Sequence, residues 1–149
     1  MSDRQKSKHQ ISPEDQSYAL MSWKRYDDEV TDELLRATTS AFALIAVSDG
    51  DLAQPEIDRF MQTLQEQSHL FPALDMASVA PVFQDLCGGM FVDPEAGRER
   101  ALQDVSAVAG HSVHVELVKA AAQIAVSADG RTDARESALL KEITEALGT

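Results

Sequence analysis

Cysteine is nearly absent from this 149-residue chain. The single thiol, Cys87, excludes an internal disulfide and fits a reducing compartment. Aromatic residues make up only 5%, and no segment alternates polar and apolar residues with period two, so nothing argues for a sheet. Long apolar runs are missing as well. The cleanest, Ala41 to Val47, falls far short of the ~20 residues that cross a bilayer, and residues 1–20 lack the apolar stretch of a secretory signal. Positive charge is scarce: 13 Lys and Arg face 25 Asp and Glu, a net charge of −12. Phosphate-backbone binding needs clustered basic residues, so that balance excludes nucleic acid and favours attraction of cations. Arg4, Lys6 and Lys8 make only a weak basic tail. The expectation is one cytoplasmic domain with no direct membrane insertion.

What the chain has in quantity is helical periodicity. Residues 1–30 read as a polar, at most partly ordered extension, with a helix start at Ser12-Pro13-Glu14 and with Tyr18, Leu20, Met21 and Trp23 able to dock on the body. The domain proper spans 31–149. Leu34, Thr38, Ala41, Phe42, Ile45 and Ala46 keep one helical face until Asp49-Gly50. Ile57, Phe60, Met61 and Leu64 form a second stripe. Met76, Val79, Ala80, Phe83, Leu86 and Cys87 form a third, with Pro81 placed in a first turn and Gly88-Gly89 as the stop. Asp93-Pro94 opens a fourth helix whose face is Ala101, Leu102, Val105 and Val108. A fifth, about 112–128, is apolar on most sides and therefore central. The sixth carries Leu139, Leu140, Ile143 and Leu147 and closes at Gly148. The fold class is all-α, a compact bundle of about six to seven helices.

Two stretches of the chain are nearly the same. Ile45-Ala46-Val47-Ser48-Asp49-Gly50 leads to Glu56, and Ile124-Ala125-Val126-Ser127-Ala128-Asp129-Gly130 leads to Glu136. Each reads helix, Asp-Gly turn, helix, so the bundle is expected to contain two pseudo-symmetric helical hairpins. Asp49, Asp51 and Glu56 share one turn; Asp129, Asp133 and Glu136 share the other. Helix capping explains much of this: Pro55 suits a first helical turn, and Asp133 to Glu136 fits a capping box. Metal binding is the competing explanation. Six carboxylates offset only by Arg131 and Arg135 repel one another unless a cation intervenes, and all-oxygen ligands select a hard ion such as Ca²⁺ or Mg²⁺. Neither turn is an EF-hand.

Other candidates are weaker. His111 and His114 are three apart at a helix start but have no third ligand nearby, so His114 reads as a partly buried or capping residue rather than a zinc ligand. Cys87 reads as a packed thiol. Gly88-Gly89 follows a helix, the wrong order for a phosphate cradle. No local spacing suggests a nucleophile with its base.

The doubled Ile-Ala-Val-Ser-(Ala)-Asp-Gly-x5-Glu, with Phe83-Gln84-Asp85-Leu86 and the Asp93-to-Val108 helix between the copies, resembles the tellurite-resistance TerB family over roughly residues 31–148. The resemblance implies a small all-helical cytoplasmic protein of about seven helices in two related halves, and a single packed cysteine is too few for reduction by thiols, so a non-enzymatic role is expected. It also implies an acidic patch for divalent cations and association with the membrane component TerC. The matching acids are Asp49, Glu56, Asp129 and Glu136, with Asp133 fitting the family's acidic habit. The first copy departs from that habit at Ala53, Gln54 and Pro55, which leaves Asp51 to compensate. Tellurite itself is an anion that a −12 chain repels. The function expected is therefore a cation-binding adaptor in a stress-response assembly with a protein partner, compatible with a homodimer. A metal-free interaction module and a metal-dependent hydrolase are the alternatives.

Overall fold

A computed structural model describes residues 13–25, 31–47, 54–70, 74–129 and 134–148. Seven α-helices occupy them: α1 Pro13–Arg25, α2 Asp32–Ala46, α3 Gln54–Glu66, α4 Met76–Val92, α5 Pro94–Ser106, α6 Ser112–Asp129 and α7 Ala134–Ala146, with a 3₁₀ turn at Ser68–Leu70. No strand occurs among the described residues, so the all-α expectation holds.

Local chemistry sets several helix ends. Thr31 caps α2, its Oγ1 accepting from the Leu34 amide at 3.1 Å, and Asp32 and Glu33 follow at the positive end of the helix dipole. Asp75 caps α4 by accepting from the Ala77 amide, and Ser78 Oγ donates to its other oxygen at 2.9 Å. Asp93 ends α4 and caps α5 at once, accepting from the Ala96 amide at 3.2 Å, with Pro94 at the first helical position as expected. Pro13 opens α1, and Pro55 sits in the first turn of α3. Beyond α7, Gly148 takes φ +81°, the left-handed conformation that ends a helix without a side-chain clash.

The buried faces match the periodicity closely in α3, where Ile57, Phe60, Met61 and Leu64 are all buried, and in α7, where Leu139 and Ile143 are, with Leu147 buried just beyond its end. Helix α6 is central as expected, packing against α1, α2, α3 and α7. The sequence pattern understated α2. Every residue from Ala37 to Ile45 is buried, so α2 is enclosed all round rather than on one face. The polar run Thr38-Thr39-Ser40 hides this in the sequence. Two of the three are satisfied, since Thr39 Oγ1 donates to the Leu35 carbonyl at 2.7 Å and Ser40 Oγ donates to Asp104 Oδ2 at 3.0 Å, whereas the buried Thr38 hydroxyl has no hydrogen-bond partner among the described residues. The paired helices α2 and α6 form the axis of the bundle. Helices α4 and α5 cover α2, α1 and α3 cover α6, and α7 touches α2, α5 and α6.

Three expected boundaries move. Helix α2 stops at Ala46, not at Asp49-Gly50, with the Val47 amide still donating to the Ala43 carbonyl at 3.2 Å. Gly88-Gly89 does not stop α4, which runs on to Val92 with neither glycine at positive φ. Burial of Leu86, Cys87 and Met90 outweighs the weak helix propensity of the two glycines. Pro81 is the sixth residue of α4 rather than a first-turn proline, and it removes one ladder bond to the Ala77 carbonyl. Both residues are exposed, so water satisfies that carbonyl.

In the segment read as an extension, α1 packs on α6 and on the 3₁₀ turn, and Trp23 is fully buried. Tyr18, Leu20 and Met21 stay exposed, at 40%, 38% and 69%, so of the four expected anchors only the tryptophan is enclosed.

Candidate functional site

Asp49, Asp51 and Asp133 lie outside the described residues. The other three candidate acids fall on helices, and their placement follows from the helix bounds. Glu56 is the third residue of α3, and Glu136 is the third residue of α7. Both stand in a first turn, where unpaired amides give a partial positive charge that favours a carboxylate. Asp129 is the last residue of α6, at the opposite pole. Unpaired carbonyls gather there, and the last turn holds no basic residue. The last turn of α2, which leads toward Asp49, has no basic residue either. Backbone carbonyl oxygens at a helix C-terminus are hard donors of the kind that suits Ca²⁺ or Mg²⁺.

Contacts at the start of α3 have a structural role. Gln54, which replaces an acid in the first repeat, donates to Asp58 Oδ1 at 2.8 Å and to Gln84 Oε1 at 3.3 Å, tying the start of α3 to α4. The departure from the acidic pattern therefore has a structural use. Among the described residues no three of His, Cys, Asp and Glu converge on a point where a metal ion would fit.

The remaining candidates resolve into structural roles. His111 and His114 stack with ring centroids 3.7 Å apart and planes 4° from parallel, and His111 Nδ1 accepts from the His114 amide at 3.4 Å. Metal-ligating lone pairs lie in the ring plane, so two parallel rings do not converge on one ion. His111 is the capping residue and His114 the buried one. Cys87 is buried, and burial pushes its thiol from an ordinary 9.0 up to about 12. It is a packed thiol and a poor nucleophile at neutral pH.

One polar cluster had no signal in the sequence. Asp104 Oδ2 on α5 accepts from Ser40 Oγ and from Arg36 Nε at 3.1 Å, both on α2. The partners are 64 and 68 residues apart, so no local spacing reveals them. The cluster joins two helices of the core.

Compared with known protein families, residues 35–149 match the family described as tellurite resistance protein TerB. Searches of curated proteins and of solved structures give no match. No helix among the described residues is long and apolar enough to cross a membrane. The family match covers most of the chain and the all-helical bundle agrees with it: this chain belongs to the TerB family of tellurite-resistance proteins.

Proposed function

We propose that the protein is a non-enzymatic adaptor of the tellurite-resistance response, in which a divalent cation, Ca²⁺ before Mg²⁺, binds the acidic turns and orders a surface for a partner. The partner would be a membrane component of the same system, of the TerC kind, met from the cytoplasmic side. The observation that supports this most is the end of α6. Asp129 closes a helix of 18 residues at its negative pole with no basic residue in the last turn. Left alone, that arrangement is unfavourable by ~0.3–1 kcal/mol. A bound cation reverses its sign, and Asp133 and Glu136 follow four and seven residues later in the sequence.

Calorimetric titration with CaCl₂ tests the reading. The expected result is saturable binding with Kd on the order of 10⁻⁴ M, lost when Asp129→Ala is combined with Glu136→Ala. Absence of saturation below millimolar calcium, or binding indifferent to the double substitution, removes the metal from the proposal.

A metal-free interaction module is the second reading, and one observation favours it. Where this chain's caps are described, Asp75 and Asp93 serve as ordinary helix caps. If Asp133 and Glu136 do the same, Glu136→Gln lowers the melting temperature equally with and without calcium. In the cation reading the loss is larger with calcium present.

A further inference from the structure

The three lysines among the described residues, Lys24, Lys119 and Lys141, stand on three different helices, α1, α6 and α7, and line one trough. In a chain of net charge −12 that convergence is notable. None of the three has a carboxylate within ion-pair distance among the described residues, whereas Arg36, Arg98 and Arg100 pair with Asp104, Glu142 and Asp85 elsewhere.

The trough follows the outer side of α6. Glu116, Lys119 and Gln123 form its floor at i, i+3 and i+7, with α1 as one wall and α7 as the other. A cleft of about 490 Å³ between α1 and α6 and another of about 340 Å³ between α6 and α7 are joined by a third of about 340 Å³. The joining cleft shares Tyr18 and Glu116 with the first and Lys119 with the second. From Ser112 to Gln123 the floor is about 16 Å long, or three helical turns. Its walls are mainly apolar, with the exposed Tyr18 and Met21 on one side and the half-buried Leu140 on the other.

A three-turn trough with mainly apolar walls, Lys24 and Lys141 on those walls and Lys119 on its floor has the form that receives an amphipathic helix with charged flanks. The unpaired lysines fix the sign of what flanks that helix. We infer that the α1–α6–α7 trough docks an amphipathic helix of a partner protein that carries acidic residues beside its apolar face. The chain's own residues 1–12 are a poor occupant, since Arg4, Lys6 and Lys8 would meet the three lysines. A second copy would bring its whole −12 charge with it, where a partner need present acids only beside the lysines. The trough does not depend on a bound cation, so it would give the adaptor proposed above its surface even if the metal reading fails.

The test uses the full chain labelled with ¹⁵N and a synthetic amphipathic peptide of roughly five helical turns, leucines on one face and glutamates along both flanks. A twin peptide carries lysine in place of each glutamate. Titrations are run in EDTA and again with CaCl₂, so that loss of metal binding and loss of docking are read separately. The expected result is saturable shifts at Glu116, Lys119, Gln123, Leu140 and Met21 with the glutamate peptide alone. Affinity should fall by about tenfold or more in Lys119→Glu with Lys141→Glu, and also in Lys24→Glu, each with an unchanged circular dichroism spectrum. Equal binding of both peptides, shifts away from the trough, or no saturation overturns the inference. So does self-association through Lys119 and Lys141 seen by sedimentation. Competition by phosphatidylglycerol vesicles for the same residues, without peptide binding, assigns the trough to a lipid surface and overturns it too.

Discussion

Cys87 shows how a residue rare in composition can be chemically silent in place. Its sulfur sits among the buried side chains of α4, and desolvation favours the neutral thiol. At pH 8 iodoacetamide should alkylate the folded protein at least about a hundredfold more slowly than the same protein in guanidinium, because only the thiolate reacts. Intact-mass spectrometry reads the difference, and comparable rates would show that the site opens. The linkage has a definite sign. Folding raises this pKa, so the contribution to stability is complete below pH 9.0 and is lost as pH rises toward about 12. In that window the unfolded chain has released the proton and the folded one has kept it, a slope of about 1.4 kcal/mol per pH unit. The thiol's burial was legible from its neighbours Phe83 and Leu86, which lie on the same helical face.

At the scale of elements, the α4–α5 corner separates two kinds of glycine. A Cβ on Gly97 would stand 2.7 Å from Met90 Cγ and 3.0 Å from the Met90 backbone, so α5 folds against α4 only because that atom is absent. A Cβ on Gly88 or Gly89 would meet nothing within 4 Å. Gly97→Ala should therefore cost about 1–3 kcal/mol, whereas Gly89→Ala should stabilise by about 0.5–1 kcal/mol. Urea denaturation of the two variants checks the opposite signs, and equal signs would contradict the packing described. The element pattern was legible where period and cap agreed, as in α3, α7 and the Asp93-Pro94 start of α5. It failed where tertiary packing overrode a local signal. Gly88-Gly89 looks like a stop until the burial of Met90 is known, and Thr38-Thr39-Ser40 looks like a solvent face until Asp104 arrives from α5.

Across the whole molecule, charge is the dominant variable. A net −12 repels itself, and monovalent salt screens that repulsion over a Debye length of about 8 Å near 0.15 M. Sodium chloride should raise the melting temperature gradually in scanning calorimetry. Calcium at matched ionic strength should raise it further, since a bound ion adds site-specific stabilisation. Coincident curves would mean that the acids act only as a diffuse field. This scale was the most legible from sequence, because charge balance, helical class and family all survive ignorance of contacts. The site was less so. The acidic turns are readable as a pattern, but the lysine trough depends on α1, α6 and α7 being brought side by side, and no spacing along the chain encodes that.

The shared cap at Asp93 limits how such a molecule can respond. One residue ends α4 and begins α5, so the pair has no spare chain with which to hinge and acts as a rigid bracket. Helix α2 is fastened to that bracket by Ser40 and Arg36 through Asp104. Helices α2, α4 and α5 therefore form one fixed frame, and α6, the other half of the bundle's axis, is seated along it through α2.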